Sequence, residues 1–297
     1  MNGTLCVSLL INGLAMGTVY AMLGMGLILL IRAVGMLNFA QGDLMMFGSY
    51  ICASLILDFE LPFYLMIPVA LLCFAILGLI FMFGVFWPLR NASYPVSTII
   101  ATMGASIVLR EGAVLIWGKL PRTLKQLILD AEGKTAVIEV GNVTLQWQYI
   151  IIIVVGVLLM LGVYMLFEKL YVGKMMQAAS QDGYAANLLG IPTILTISAT
   201  YIIVVSLAGI SGYLVAPIFL VRSSLGSLQL RAFAGVVIGG FGNIKGAIVG
   251  SLMVGVIEAF SALKFSEYKD VTIFLILLVF LLFLPQGLFG GKVADKA

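Results

Sequence analysis

The stretch "GMLNFAQGDLMMFGSY", residues 35–50, sets Asn38, Gln41 and Asp43 within six residues of one another and surrounds them with Gly35, Gly42 and Gly48. Long apolar runs flank it on both sides. Polar side chains and irregular backbone persist at membrane depth only where protein or a water-filled cavity surrounds them. The stretch therefore predicts a helix break that faces the inside of a membrane bundle, near the route of a polar solute.

The rest of the chain agrees with a membrane location. Of its 297 residues, 62% are hydrophobic and 10% charged, and the mean hydropathy is +1.18. Soluble domains are about half apolar and a quarter charged. Crossing a hydrocarbon core of about 30 Å takes roughly 20 apolar residues per helix. Apolar runs fall at 5–31, 40–57, 62–87, 97–118, 149–168, 194–221, 232–262 with an interruption, and 271–286. The runs are near-continuous, as in helices; barrel strands would alternate. The expected fold is an all-α polytopic membrane bundle of about eight transmembrane helices. The first run has no basic region followed by a small-residue cleavage site, so it reads as a retained span.

Several function classes fall away. A net charge of +3, scattered along the chain, does not suggest nucleic acid as a partner. The chain has no histidine, which removes the commonest general base and metal ligand. Cys6, Cys52 and Cys73 lie in apolar runs without metal-like spacing and read as small core residues. "EGKT" at 132–135 ends like a phosphate-binding loop, but Ile128 stands where that loop needs a glycine. Neither a metal, a cofactor nor a catalytic residue is expected.

A second stretch, "GVVIGGFGNIKGAIVGSLMVG" at 235–255, resembles the first. Gly239 and Gly246 enclose Asn243 as Gly35 and Gly42 enclose Asn38, and each stretch adds a charged residue, Asp43 or Lys245. Glycine-interrupted segments in both halves of a transporter point to its pathway. The pathway candidates are Asn38, Gln41, Gly42, Asp43, Asn243 and Glu258, with Asn38 and Gln41 on one helix face at a spacing of three. Interhelical hydrogen bonding is the competing reading for Asn38, Gln41 and Asp43. The glycines follow small-xxx-small spacing, which lets helices approach closely. Arg110, Glu111 and Glu258 interrupt apolar runs, either for function or as structural pairs.

Two polar intervals remain. Residues 119–148 mix both charges with β-branched residues and suit a hairpin-bearing loop. In 169–192 the helix should break at Gly183, with Asp182 capping a second short helix that ends at Gly190 before Pro192. On that helix Ala185, Leu188 and Leu189 form one small apolar face, which is marginal alone in water and calls for a partner. Lysine and arginine counts do not decide the orientation.

"GMLNFAQGDLMMFGSY", "QAASQDGYAANLLGI", "GGFGNIKGAIVGSLMVGVIEA" and "EYKDVTIFLILLVFLLFLPQGLFG" together resemble the permease subunits of branched-chain amino acid ABC importers, the smaller permease above all. The likeness spans nearly the whole chain and implies a single transmembrane permease domain over 1–297. It implies as partners a second homologous permease, two cytoplasmic ABC ATPase subunits, an extracytoplasmic solute-binding protein and membrane lipid, in a bacterial inner membrane. It places 169–192 in the cytoplasm as the ATPase-coupling loop, matched at Ala178, Asp182, Ala186, Leu188, Leu189, Gly190 and Ile191, with Ala185 on the same face. One span earlier, 119–148 then falls outside the cytoplasm. Two departures stand out: Gln181 replaces the family's glutamate, and Gln41 its histidine. Related permeases carry urea, amides or other small polar solutes, and that remains the alternative. An ion-coupled secondary transporter would show an intramembrane carboxylate pair, and an intramembrane enzyme a nucleophile with its base; this sequence suggests neither.

Overall fold

A computed structural model of the chain describes residues 3–90, 95–128, 135–140, 143–264 and 269–290. Among these, six helical spans are long and apolar enough to cross a membrane, and Gln41–Leu57 and Asp270–Phe283 are shorter apolar helices. The sequence boundaries match to within a few residues. Helix α1 is Gly3–Val34, α2 Gln41–Leu57 and α3 Phe63–Phe81. A π-helical turn, Met82–Phe86, continues α3 into α4, Trp87–Leu89, and α5 is Pro95–Trp117. The hairpin expected in 119–148 forms as β1 (Val137–Val140) and β2 (Val143–Gln146), antiparallel, with Val137 opposite Gln146 and Val140 opposite Val143. Residues 132–134 of the "EGKT" motif lie outside the described residues.

Helix α6 is Trp147–Glu168, α7 Tyr171–Gln181, α8 Gly183–Leu188 and α9 Thr193–Phe219. A 3-10 turn, Ser223–Ser227, precedes α10 (Leu228–Gly239), α11 (Ile244–Lys264) and α12 (Lys269–Phe283). Six of the eight prolines sit at or beyond run edges as their missing N–H requires, whereas Pro68 and Pro217 lie inside α3 and α9.

The chain forms two compact units. One comprises Met1–Ile28, Gln126–Val157 and Leu230–Ala297, the other Leu29–Lys125 and Leu158–Gln229. In the first, small residues bring backbones together. A Cβ at Gly13 would come 2.8 Å from Val256 Cα, and one at Gly17 2.8 Å from Leu252 Cα. At the crossing of α10 and α11, Gly235 faces Ser251, and Gly239 faces Gly246. This is the close approach that small-xxx-small spacing predicts.

The second unit is built on α2, which packs against α9 and α3. Gly48 meets Gly209 backbone to backbone, and Gly212 lies against Met45. The ring of Phe74 covers Gly209 and belongs to a core cluster with Cys52, Leu55, Met66 and Ala70. At the far end of α2, Trp117 stacks on Tyr50 with ring centroids 5.0 Å apart and meets Phe47 edge-on. Its indole N–H donates to Ser54 Oγ at 2.5 Å. Just past α2, Arg122 donates to Asp58 at 2.7 Å. That bond, helped by Ser54, holds the Asp58 carboxyl below the usual carboxylate range.

Candidate functional site

The break between α1 and α2 is local in origin. Helix α1 ends where Gly35 adopts a φ of +75°, a left-handed conformation that glycine enters without a Cβ penalty. Asn38 Oδ1 then accepts the backbone N–H of Ala40 at 2.9 Å, closing an Asx turn. This corrects one expectation: Asn38 lies in the connector ahead of α2, so it shares no helix face with Gln41. The turn-forming preference of asparagine outweighed the apolar helical register around it.

Three polar side chains of this break are buried. Asn38 is 2% exposed, Gln41 0% and Asp43 3%. Gln41 Nε2 donates to the carbonyl of Val204 on α9 at 3.3 Å. Asp43, in the first turn of α2, accepts from Ser106 Oγ and from Arg110 on α5, whose Nη2 lies 3.3 Å from Oδ1. A carboxylate there is also favoured by the helix dipole. Phe39 N–H donates to Thr102 Oγ1 at 3.3 Å, so α5 fixes the connector from the other side. Gly42 is required by contact: a Cβ there would overlap the Gly226 carbonyl and lie 2.6 Å from Gln229 Cβ.

What the chain leaves unpaired is informative. Asn38 Nδ2, Gln41 Oε1 and both side-chain polar atoms of Gln229 are buried without a hydrogen-bond partner among the described residues. Buried polar groups are satisfied in the great majority of cases, and each exception calls for an explanation. The break thus carries unused donors and acceptors, all on uncharged amides.

The second break differs in one respect. Asn243 repeats the turn of Asn38, its Oδ1 accepting the N–H of Lys245 at 3.0 Å, and Gly240 and Gly242 have φ of +107° and +86°. Here the freed backbone groups are used. Leu288 N–H donates to Ile238 O at 2.9 Å, Phe289 N–H to Gly239 O at 3.0 Å, and Asn243 Nδ2 to Phe289 O at 3.3 Å. Glu258, in the same unit, is 7% exposed and deeply engaged. It accepts from Tyr20 Oη at 2.5 Å and pairs with Arg231 at 2.8 Å, and Arg231 reaches Asp270 at 2.6 Å. Glu111 on α5 is exposed.

The loop after α6 follows its sequence reading closely. Asp182 Oδ1 accepts the N–H groups of Tyr184 and Ala185, both at 2.9 Å, and so caps α8. Gly190 closes the turn with a φ of +81°. Ala186 is buried, but Tyr184, Leu188 and Leu189 are 77%, 72% and 81% exposed; Ala178 and Ala185 are half-buried. Arg32, at the end of α1, anchors this loop. It pairs with Glu168, donates to Gln177 at 3.2 Å and lies over the Phe167 ring. Ser180 Oγ returns a bond to the Arg32 carbonyl at 2.6 Å. Among the described residues, no group of three or more His, Cys, Asp or Glu side chains is arranged to hold a metal ion.

Residues 9–282 match the family model described as the permease component of the branched-chain amino acid transport system. The chain belongs to this permease family. The permease is 30% identical to the high-affinity branched-chain amino acid transport system permease protein BraD of Pseudomonas aeruginosa, over 97% of this chain and 96% of that one. It is 28% identical to LivH, of the same description, from Salmonella typhimurium, over 96% of each. Among solved structures, PsaBC from Streptococcus pneumoniae in complex with Fab is alike at a TM-score of 0.48 and 15% identity, covering 93% of this chain and 89% of that one. In this multi-pass permease, Gln229, Ser106, Thr102 and Arg32 join the sites without a sequence signal of their own. Each is a polar residue in or beside an apolar run, and the residue it meets, Gly42, Asp43, Phe39 or Glu168 in turn, lies far along the chain.

Proposed function

We propose that this permease is the membrane subunit of an ATP-binding-cassette importer of a bacterial inner membrane, and that it carries branched-chain amino acids delivered by an extracytoplasmic solute-binding protein. A second homologous permease completes the path, and two cytoplasmic ABC ATPases hydrolyse ATP. The observation that carries this reading is the capped helix α8. Its Tyr184 and Leu188, with Leu189 at its C-terminal cap, present an uncovered apolar face on a helix too short to be stable alone in water.

An ATPase groove covering that face gives a mechanical route. Movement of α7 and α8 pulls on Arg32 through Gln177 and Ser180, and Arg32 stands three residues before Gly35. The same displacement reaches Asn38 and Gln41. Closure of the ATPases then alters the break that the solute passes, with 169–192 on the cytoplasmic side and 119–148 on the other. In the path, Gln41 Oε1 is an acceptor for an ammonium group and Asn38 Nδ2 a donor for a carboxylate.

The test is Leu188→Asp, which puts a charge on an exposed position of α8. ATPase co-purification and uptake are expected to be lost while the permease keeps its membrane level and thermal stability. Full ATPase stoichiometry with normal uptake would overturn the coupling role. A second reading, transport of urea or small amides, is favoured by the amide character of Asn38, Gln41 and Gln229, since amide side chains pair with amide solutes as readily as with a zwitterion. Competition of labelled leucine uptake by unlabelled leucine, urea and acetamide separates the two.

A further inference from the structure

An apolar groove of about 380 Å³ runs between the α3–α4 segment and α5, lined among others by Leu77, Phe81, Gly84, Leu89, Ala105 and Val108. Its origin lies in small residues and a backbone irregularity. The π-helical turn Met82–Phe86 displaces the helix locally. A Cβ at Gly84 would meet no atom within 4 Å, and Ala105 faces the gap from α5. The groove opens outward, since Val108 is 71% exposed.

Its length and its end define an occupant. From Leu77 to Leu89 is about 18 Å of helix at roughly 1.5 Å per residue, close to the depth of one leaflet, about half of the ~30 Å core. At that end stand Trp87 and Arg90, the residue types enriched at the membrane–water boundary. The Arg90 guanidinium lies 3.6 Å from the Trp87 ring centroid. Arg90 is exposed, and among the described residues no carboxylate pairs with it. A cation at the headgroup level, above an apolar slot one leaflet deep, complements an anionic lipid.

We propose that this groove binds an anionic phospholipid, with one acyl chain along Leu77–Leu89 and the phosphate held by Arg90. The lipid would fill the space left by Gly84 and Ala105 and seal α5 to the α3–α4 segment.

The experiment uses the full-length permease, purified with whatever membrane partner it retains, in detergent with equal amounts of phosphatidylglycerol and phosphatidylcholine of identical acyl chains. Native mass spectrometry is expected to find phosphatidylglycerol retained several-fold over phosphatidylcholine. Arg90→Gln, at an exposed position, is expected to abolish that preference, and Ala105→Phe, which fills the slot, to lower retention of both lipids. In vesicles, brominated phosphatidylglycerol is expected to quench Trp87 fluorescence more than brominated phosphatidylcholine, again only with Arg90 present. Equal retention of the two lipids by the wild-type protein, or an unchanged preference in Arg90→Gln, would overturn the proposal. So would disulfide cross-linking of a Val108→Cys variant to another protein chain in the native membrane, because protein would then cover the groove.

Discussion

Gln41 and Glu258 are both buried polar residues in apolar helices, yet their surroundings assign them opposite energetics. Glu258 is held by Tyr20 and Arg231 within hydrogen-bonding distance; removing one partner of such a buried pair strands the other charge. Gln41 makes a single long bond to Val204 and leaves Oε1 unpaired, so the fold gains little from it and bears part of its desolvation. Gln41→Met keeps the shape and removes the unpaired group. The expected outcome is a thermal midpoint equal to or above the wild type, with uptake lowered about tenfold, the equivalent of one lost polar contact of ~1.4 kcal/mol in the transition state. Uptake at the wild-type rate with normal protein level would reduce Gln41 to a packing residue. The absence of histidine at this position leaves no group there that titrates near neutral pH.

Helix pairs in this chain are set by where glycine is irreplaceable. Gly48 on α2 sits against Gly209 on α9, and a Cβ there would overlap the Gly209 Cα. Gly112 on α5 has no atom within 4 Å of where its Cβ would lie. The two positions read alike in sequence, as glycines in apolar helices. Gly48→Ala forces backbone movement and is expected to cost about 1–3 kcal/mol, outweighing the gain in helix propensity of about 1 kcal/mol. Gly112→Ala meets no obstacle and is expected to be neutral or stabilising. Thermal unfolding of the two purified variants in one detergent measures both, and equal shifts would contradict the close α2–α9 packing. Within the first unit, Gly13, Gly17 and Gly235 belong with Gly48 by the same criterion.

For the molecule as a whole, the energy source is the decisive property. The chain has no phosphate-binding loop in its sequence, Glu258 is neutralised by Arg231, and Asp43 by Arg110. An ion-coupled carrier needs a carboxylate that exchanges its ion during the cycle, and each of these two is paired with an arginine. Uptake by the assembled system is therefore expected to stop when ATP is depleted and to persist when ionophores collapse the proton and sodium gradients. Measuring labelled solute in cells under the two treatments checks this. Loss of uptake with the gradients alone would point to a secondary transporter.

Apolar runs, prolines, glycines and short polar signals were enough to place the helices and their interruptions. They act over a few residues, so Gly35 with Asn38, Gly240 with Asn243, and Asp182 with Gly190 each specify a break or cap wherever the chain goes next. The same local signals made the two breaks look equivalent. Distant partners separate them: Leu288 and Phe289 satisfy the second break from about fifty residues away, while among the described residues one amide atom each of Asn38 and Gln41 remains unpaired at the first. The partners of Arg32, Gln41 and Asp43 lie 63 to 163 positions along the chain, and Glu258 reaches Tyr20 across 238, beyond any periodicity or spacing rule. Hydrogen bonds and ion pairs between such residues depend on which helix faces meet. Meeting is set by close packing at positions such as Gly48 and Gly209, where the fit of two backbones, and no single stretch of sequence, determines the contact.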